Sequence, residues 1–205
     1  MRILLIDDHP LFRGGLKYLL RGLEEGVEMD EAGDCAQALE HLAAGSYDLV
    51  LLDLKLPGVN GLDALASLRE AAPGTPLIVL SGEDDPEVVR ASIERGAMGF
   101  IPKSSTPEVM IQALRLVLMR GVYLPPTALD AVHTAVPASL PGLTPRQMDV
   151  MRCVIRGMPN KVIARELDVS EATVKAHLTA VFQALGARNR TEAVYVAAKV
   201  GLRLS

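Results

Sequence analysis

Cysteine occurs only twice in this chain, at Cys35 and Cys153, far apart and each within an apolar pattern of helical spacing. Two such residues make no disulfide framework and read as reduced core thiols rather than as a disulfide or a metal pair. Long apolar runs are also missing. No stretch is long and apolar enough to span a bilayer, so no membrane segment is expected. The start does not look like a secretory signal, because "RILLIDDHP" puts acids where a small-residue cleavage site would lie. A Walker-type nucleotide loop, internal repeats and low-complexity tracts are absent as well. The expectation is a soluble, cytoplasmic protein.

What is present suits one large domain or two small ones: 205 residues, 49% of them apolar. The first 137 residues carry 11 Lys and Arg against 20 Asp and Glu, a balance of −9. The remainder carries 10 against 5, a balance of +5, and together they give the chain's −4. An acidic half joined to a basic half is expected when one end faces a polyanion.

Over the first 120 residues apolar strands alternate with amphipathic helices. "ILLI", "VEMDEAG", "DLVLLDL", "PLIVLSG" and "AMGFIPK" read as strands. Between and after them, helices are expected near residues 10–23 and over "CAQALEHLAA", "LDALASLREA", "PEVVRASIERG" and "PEVMIQALRLVLMRG". Strands this apolar are covered on both faces, so the sheet is expected to be parallel with right-handed crossovers. The predicted fold is α/β: a doubly wound, five-stranded parallel sheet of the flavodoxin-like kind over 1–120. A proline-rich linker over 121–141 follows, with one helical turn expected in its middle, and then a small all-α domain over 142–205. In that last domain Thr144, with Pro145 next and Gln147 three on, forms a capping-box pattern. Further helices start at Asn160, Ser170 and about Thr191, the third closing at Gly186.

Strand one ends in Asp7 and Asp8, strand three in Asp53 and strand four in Ser81, and strand five leads to Lys103. In a parallel doubly wound sheet these ends converge on one rim, where ligands bind. Singly each has a plainer use, the acids and serine as helix caps and the lysine as surface charge. Together, three carboxylates repel unless a hard divalent cation joins them. Mg²⁺ takes a few carboxylate oxygens and keeps waters that a phosphoryl oxygen can replace. A carboxylate beside it can attack phosphorus, while metal and lysine neutralise the transferring group.

This set resembles the receiver domain of bacterial two-component response regulators over residues 1 to about 120. The resemblance implies that Asp53 is phosphorylated by a sensor histidine kinase. It implies that Asp7, Asp8, Asp53 and the Lys55 backbone carbonyl hold Mg²⁺. Lys103 would pair with the phosphoryl group, Ser81 would hydrogen-bond it and move, and Phe100 occupies the aromatic switch position. Two features depart from the commoner pattern. Lys55 and Glu83 are spaced to pair across the mouth of the site, crowding an attacking water, and Lys103 is followed by Ser104 where many receivers have proline.

In "NKVIARELDVSEATVKAHLTAVFQALGARNRTEA", Val174, Leu178, Val181 and Leu185 share one helix face, packing inward with Ile163, Ala164 and Leu167. Lys175, Ala176, Thr179 and Gln183 lie on the opposite face. That is helix-turn-helix geometry, with short side chains presented to a major groove of double-stranded DNA. Thr173 joins this DNA-contact set, and Lys161, Arg165, Arg188 and Arg190 are candidate phosphate contacts. The stretch resembles the LuxR-type output domain, which makes the whole chain similar to NarL/FixJ-type response regulators. Thr179, Gln183 and Ala184 are neutral where basic residues often stand, so modest non-specific affinity is expected.

The expected function is phosphorylation-gated transcription regulation through a homodimer, not metabolic enzymology. Two rivals stay open: an output set by a protein partner instead of phosphate, and a Mg²⁺-dependent phosphatase or phosphotransferase, for which the loops are short. Unmodified, the basic domain is expected to dock on the acidic one and bury the helix carrying Lys175. Phosphorylation would draw in Ser81 and let Phe100 turn inward.

Overall fold

The five strands are β1 (Arg2–Ile6), β2 (Glu28–Ala32), β3 (Leu49–Asp53), β4 (Leu77–Ser81) and β5 (Gly99–Pro102). They pair in the order β2-β1-β3-β4-β5, every neighbour parallel. The computed structural model describes residues 1–23, 26–119, 121–125 and 142–199. The order reverses direction between β1 and β3, so the rim beyond their carboxyl ends is the switch point of the sheet.

Alternation along each strand decides what covers which face. Ile3, Leu5, Leu49, Leu51, Ile78, Leu80 and Ile101 point to the side packed by α1 (Pro10–Leu20) and α5 (Pro107–Leu118). Leu4, Ile6, Val50, Leu52, Leu77, Val79 and Phe100 point to the other side. That side is packed by α2 (Cys35–Ala44), α3 (Gly61–Ala71) and α4 (Pro86–Glu94). All five residues of β3 and of β4 are buried, as strands with two covered faces require. Each fully buried leucine contributes about 1.5–3 kcal/mol relative to exposure. Expected and observed helices agree in number and kind over this half, with boundary shifts of a few residues.

Helix ends follow their caps. Asp34, Asn60, Asp85 and Thr106 accept first-turn N–H groups at the starts of α2 to α5. Gly61 opens α3 against the turn after β3, where a Cβ would collide with the Leu54 carbonyl. This close approach holds the loop carrying Lys55 over the rim.

Four helices form the second unit: α6 (Pro145–Ile155), α7 (Asn160–Glu166), α8 (Glu171–Leu185) and α9 (Arg190–Lys199). The expected capping box at Thr144 and Gln147 is present. Ser170 caps α8, and Gly186 ends it in the left-handed region at φ 65°. The turn between α7 and α8 uses Asp168 at φ 51°, a conformation Asp tolerates better than bulky residues. Val174, Leu178 and Val181 bury one face of α8 beside Ile163 and Ala164.

Two expectations change at the junction. Residues 121–125, assigned above to a linker, are packed on the receiver: Val122 and Leu124 are buried, and Tyr123 makes a parallel bridge with Gly99. The N–H of Phe100 donates to the Tyr123 carbonyl at 3.3 Å. The helical turn expected further along falls outside the described residues. The second unit does dock on the first, but through α9. Thr191 Oγ1 donates to the Met98 carbonyl at 2.9 Å, and Arg188 Nη1 to the Glu94 carbonyl at 3.1 Å. Helix α9 is apolar on most of its circumference, so it can face its own domain and α4 at once, whereas α8 has one apolar stripe already spent. Lys175, Ala176 and Thr179 on α8 remain exposed, contrary to the expectation that docking would cover them.

Candidate functional site

Asp7, Asp53 and Lys103 meet at the rim on the α1/α5 side of the sheet. Asp7 follows β1, is fully buried, and has its N–H bonded to the Ala32 carbonyl at 3.1 Å. The Arg13 guanidinium binds the Asp7 carbonyl and, at 2.6 Å, Glu31, which fixes the turn into α1. Asp53, 1% exposed, accepts from Lys103 Nζ at 2.6 Å on Oδ2 and from the Lys55 N–H at 3.1 Å on Oδ1. Lys103 Nζ also lies 2.7 Å from Asp7 Oδ2 and 4.5 Å from the centroid of the Phe12 ring. The Lys103 N–H is held by the Ser81 carbonyl at 2.7 Å, so the lysine is anchored where β4 and β5 end. One ammonium can satisfy only part of two buried carboxylates. Asp7 Oδ2 meets only this shared Lys103 ammonium, 2.7 Å away, without a well-aligned hydrogen bond, so the buried charge is only partly compensated.

Asp8 is exposed and stands beside this pair. Oxygens of Asp7, Asp8 and Asp53 and a ring nitrogen of His9 all lie within 4.8 Å of one another. Three carboxylates against one ammonium leave two negative charges, which suits a divalent cation, so the residues present fit a metal ion. His9 went unremarked in the sequence; its signal was its place directly after the acid pair.

The cleft over the rim has a volume of about 370 Å³ and is lined by His9, Leu11, Phe12, Asp53, Lys55, Gly82 and Lys103. Across its mouth Lys55 Nζ pairs with Glu83 Oε1 at 2.7 Å, the contact expected from their spacing. The hydrogen bond that Lys55 donates to Glu83, then the Glu83 charge, holds the Lys55 ammonium pKa above the ordinary lysine value. Both side chains are largely exposed, so the pair adds little stability. Ser81 is buried and its Oγ accepts the Glu83 N–H at 3.1 Å. Its hydroxyl thus caps the loop that follows β4.

Phe100 corrects one expectation. It is fully buried in this structure, where the expectation was a ring that turns inward from solvent. It pairs in register with Val79, on the sheet face that carries α4. The peptide bonds of the described residues are all trans, that between Lys103 and Ser104 included.

In the helical unit Lys161, Arg165, Lys175, Ala176 and Thr179 are exposed. Thr173 is half-buried and its hydroxyl is engaged with that of Ser170 at 2.8 Å, so it serves the cap of α8. Arg188 is exposed but bonded to Glu94 as described. Arg190 is the clear correction, because it is buried and bonded to Asn160 Oδ1 at 2.9 Å and to the Met158 carbonyl. Burial lowers its pKa to about 10, which leaves it charged at neutral pH. It ties α9 to the start of α7 and is unavailable to a phosphate.

Among the described residues no helix is long and apolar enough to cross a membrane. Residues 3–115 match the family model for the response regulator receiver domain, and residues 141–197 that for bacterial regulatory proteins of the luxR family. The chain is 37% identical to the glycerol metabolism activator of Pseudomonas putida, over 97% of this chain and 96% of that protein. It is 35% identical to the nitrate/nitrite response regulator protein NarL of Escherichia coli strain K12, over 93% and 92%. Among solved structures it resembles a LuxR family DNA-binding response regulator from Silicibacter pomeroyi. That likeness has 39% identity and a TM-score of 0.55, over 61% of this chain and 97% of the other. Matched along both halves, the chain belongs to the two-component response regulators that join a receiver to a LuxR-type DNA-binding domain, signalling transcription factors rather than metabolic enzymes.

Proposed function

We propose that Asp53 is the phosphoacceptor, and that its phosphorylation releases a docked output domain to bind double-stranded DNA as a homodimer. The observation that carries this is the Asp53 carboxylate at the floor of the open cleft, 2.6 Å from Lys103 Nζ. A carboxylate oxygen attacks the phosphorus of a phosphohistidine on a sensor kinase. The P–N bond breaks, its electron pair leaves with the imidazole, and an acyl phosphate forms on Asp53. Asp7, Asp8, Asp53 and the Lys55 carbonyl would hold Mg²⁺, which supplies charge neutralisation of the phosphoryl oxygens. Lys103, now shared between Asp7 and Asp53, would shift its ammonium to the phosphoryl group, and the Ser81 hydroxyl would leave the Glu83 N–H for a phosphoryl oxygen.

Ser81 and Phe100 couple this chemistry to the output. Val79 and Phe100 point to the α4 side, and the alternation of β4 places Ser81 on that side too. Helix α9 rests against α4 and the start of β5. Drawing Ser81 toward the phosphoryl group disturbs the surface that α9 uses, and a ligand shifts such an equilibrium only by its differential affinity for the two states. Because α8 is exposed while α9 is covered, gating acts on assembly and not on access of Lys175 to a groove. Lys161, Arg165 and Arg188 then contact phosphates, and Lys175, Ala176 and Thr179 face bases. Such a regulator works in the cytoplasm.

The test is intact-mass measurement with Mg²⁺ and a small phosphodonor, followed by light scattering with and without beryllofluoride. One added phosphoryl group and a shift from monomer to dimer are expected. Unchanged association and DNA affinity would discard phosphate gating in favour of control by a protein partner.

A further inference from the structure

His9 has no part in the chemistry just described, although it stands inside the carboxylate cluster. Its Nδ1 lies 2.7 Å from Asp8 Oδ1, 3.4 Å from Asp7 Oδ1 and 3.9 Å from Asp53 Oδ2. The helix does not require it there. His9 is the N-cap of α1, yet its side chain makes no capping hydrogen bond, and the following Pro10 has no N–H to offer. Its own N–H donates to Asp7 Oδ1 at 2.8 Å, which sets the backbone so that the ring turns over the acids. Beside it, the fully buried Asp7 and Asp53 carboxylates share the single Lys103 ammonium, at 2.7 and 2.6 Å.

Around an octahedral ion with ligands at about 2.0–2.1 Å, neighbouring ligand atoms sit about 3 Å apart and opposite ones about 4 Å. The three separations from Nδ1 span that range. Closing the cluster onto one ion needs only small side-chain movements. A set of carboxylates alone suits Mg²⁺, whereas an added imidazole favours borderline ions such as Co²⁺, Ni²⁺ and Zn²⁺ and gives Mg²⁺ little.

Building on the assignment of Asp7, Asp8 and Asp53 to a divalent cation, we propose that His9 is a direct nitrogen ligand at this centre. It tilts the site toward divalent transition ions over Mg²⁺. The receiver thereby responds to the transition-metal supply as well as to its phosphodonor, since the ion that occupies the rim sets how well phosphoryl charge is neutralised.

Calorimetric titration of the full chain with Co²⁺ and with Mg²⁺ at one fixed pH, on wild type, His9→Ala and His9→Gln, tests this. Both substitutions should lower Co²⁺ affinity about tenfold while changing Mg²⁺ affinity by less than about twofold. Proton NMR of the Co²⁺ form should show paramagnetically shifted imidazole resonances that both variants lose while circular dichroism is unchanged. An unaltered Co²⁺ affinity, an equal loss for both ions, or shifted resonances that persist in the variants would overturn the ligand role. Failure of the wild-type chain to bind either ion would overturn the cation site itself, a separate result.

Discussion

The two faces of the receiver sheet differ in what their strand ends carry. On the α1/α5 face, Asp7, Asp53 and Lys103 form a compact set of charges, with Lys103 Nζ within 3 Å of both carboxylates. On the α4 face the corresponding positions hold Ser81 and Phe100, an uncharged hydroxyl and a ring, and beside α4 the second unit docks through Thr191 of α9 and Arg188 just before it. Opposite charges at such distances fix geometry firmly, because displacing one partner strands another in a buried site. A hydroxyl carries no such constraint and can exchange one hydrogen-bond partner for another at small cost. One face is therefore built to perform a reaction, the other to report it.

The largest effect should come from cutting the charged face. Asp53→Asn is expected to abolish the phosphoryl mass increase completely and leave the fold intact, since Lys103 keeps its contact with Asp7. Labelling that survives, on Asp8 for instance, would erase the distinction between the acceptor and its neighbours.

Next comes a contact that docking leaves open. Lys175→Ala should weaken binding to the specific site by about 1–3 kcal/mol, while Arg165→Ala weakens all sequences alike. Because α8 is exposed in the docked state, the Lys175 loss should be the same for an isolated half-site with or without beryllofluoride. Dependence on the mimic would mean that docking occludes the groove-facing helix after all.

A smaller change is expected from the reporting face. Removing the buried Thr191 bond to Met98 by Thr191→Ala costs about 1 kcal/mol of docking, near fivefold in the equilibrium. Dimerisation of the unmodified protein should rise by that factor, and the phosphorylation rate should hold. A parallel change in phosphorylation rate would show that the two faces are not separable.

The smallest effect belongs to the mouth of the cleft. Glu83→Ala removes the partner of Lys55 and should shorten the acyl-phosphate lifetime a few-fold, read by loss of the added mass with time. A longer or unchanged lifetime would exclude a shielding role for the pair.

Strand order, helix number and the rim were legible because they rest on local patterns: two-sided apolar strands, capping residues such as Asp34 and Thr144, and acids at strand ends. The Lys55–Glu83 pair was legible too, since each follows its strand end by two residues. Arg190 was misread because its partners, Asn160 and Met158, lie about thirty residues earlier, and a basic residue near a helix start looks the same whether it meets a phosphate or a carbonyl. The docking helix left a signal that was not used. Ala193, Val194, Tyr195 and Ala197 are buried on several sides of α9, and a helix apolar all round is covered all round. His9 was passed over because the acid pair before it already accounted for the site.

The placement of Asp7 and Asp53 on adjacent central strands has a consequence for how the molecule is made. The two are 46 residues apart in sequence, and Lys103 is 50 beyond Asp53. No local segment contains two of Asp7, Asp53 and Lys103, so nascent helices and hairpin-like pieces carry the acids without the site. Pairing of β1 with β3, and then the addition of β4 and β5, are long-range steps that come late because loop closure must precede their reward. A partly folded chain thus has nothing to offer a phosphodonor, and competence to receive the signal arrives only with the completed sheet.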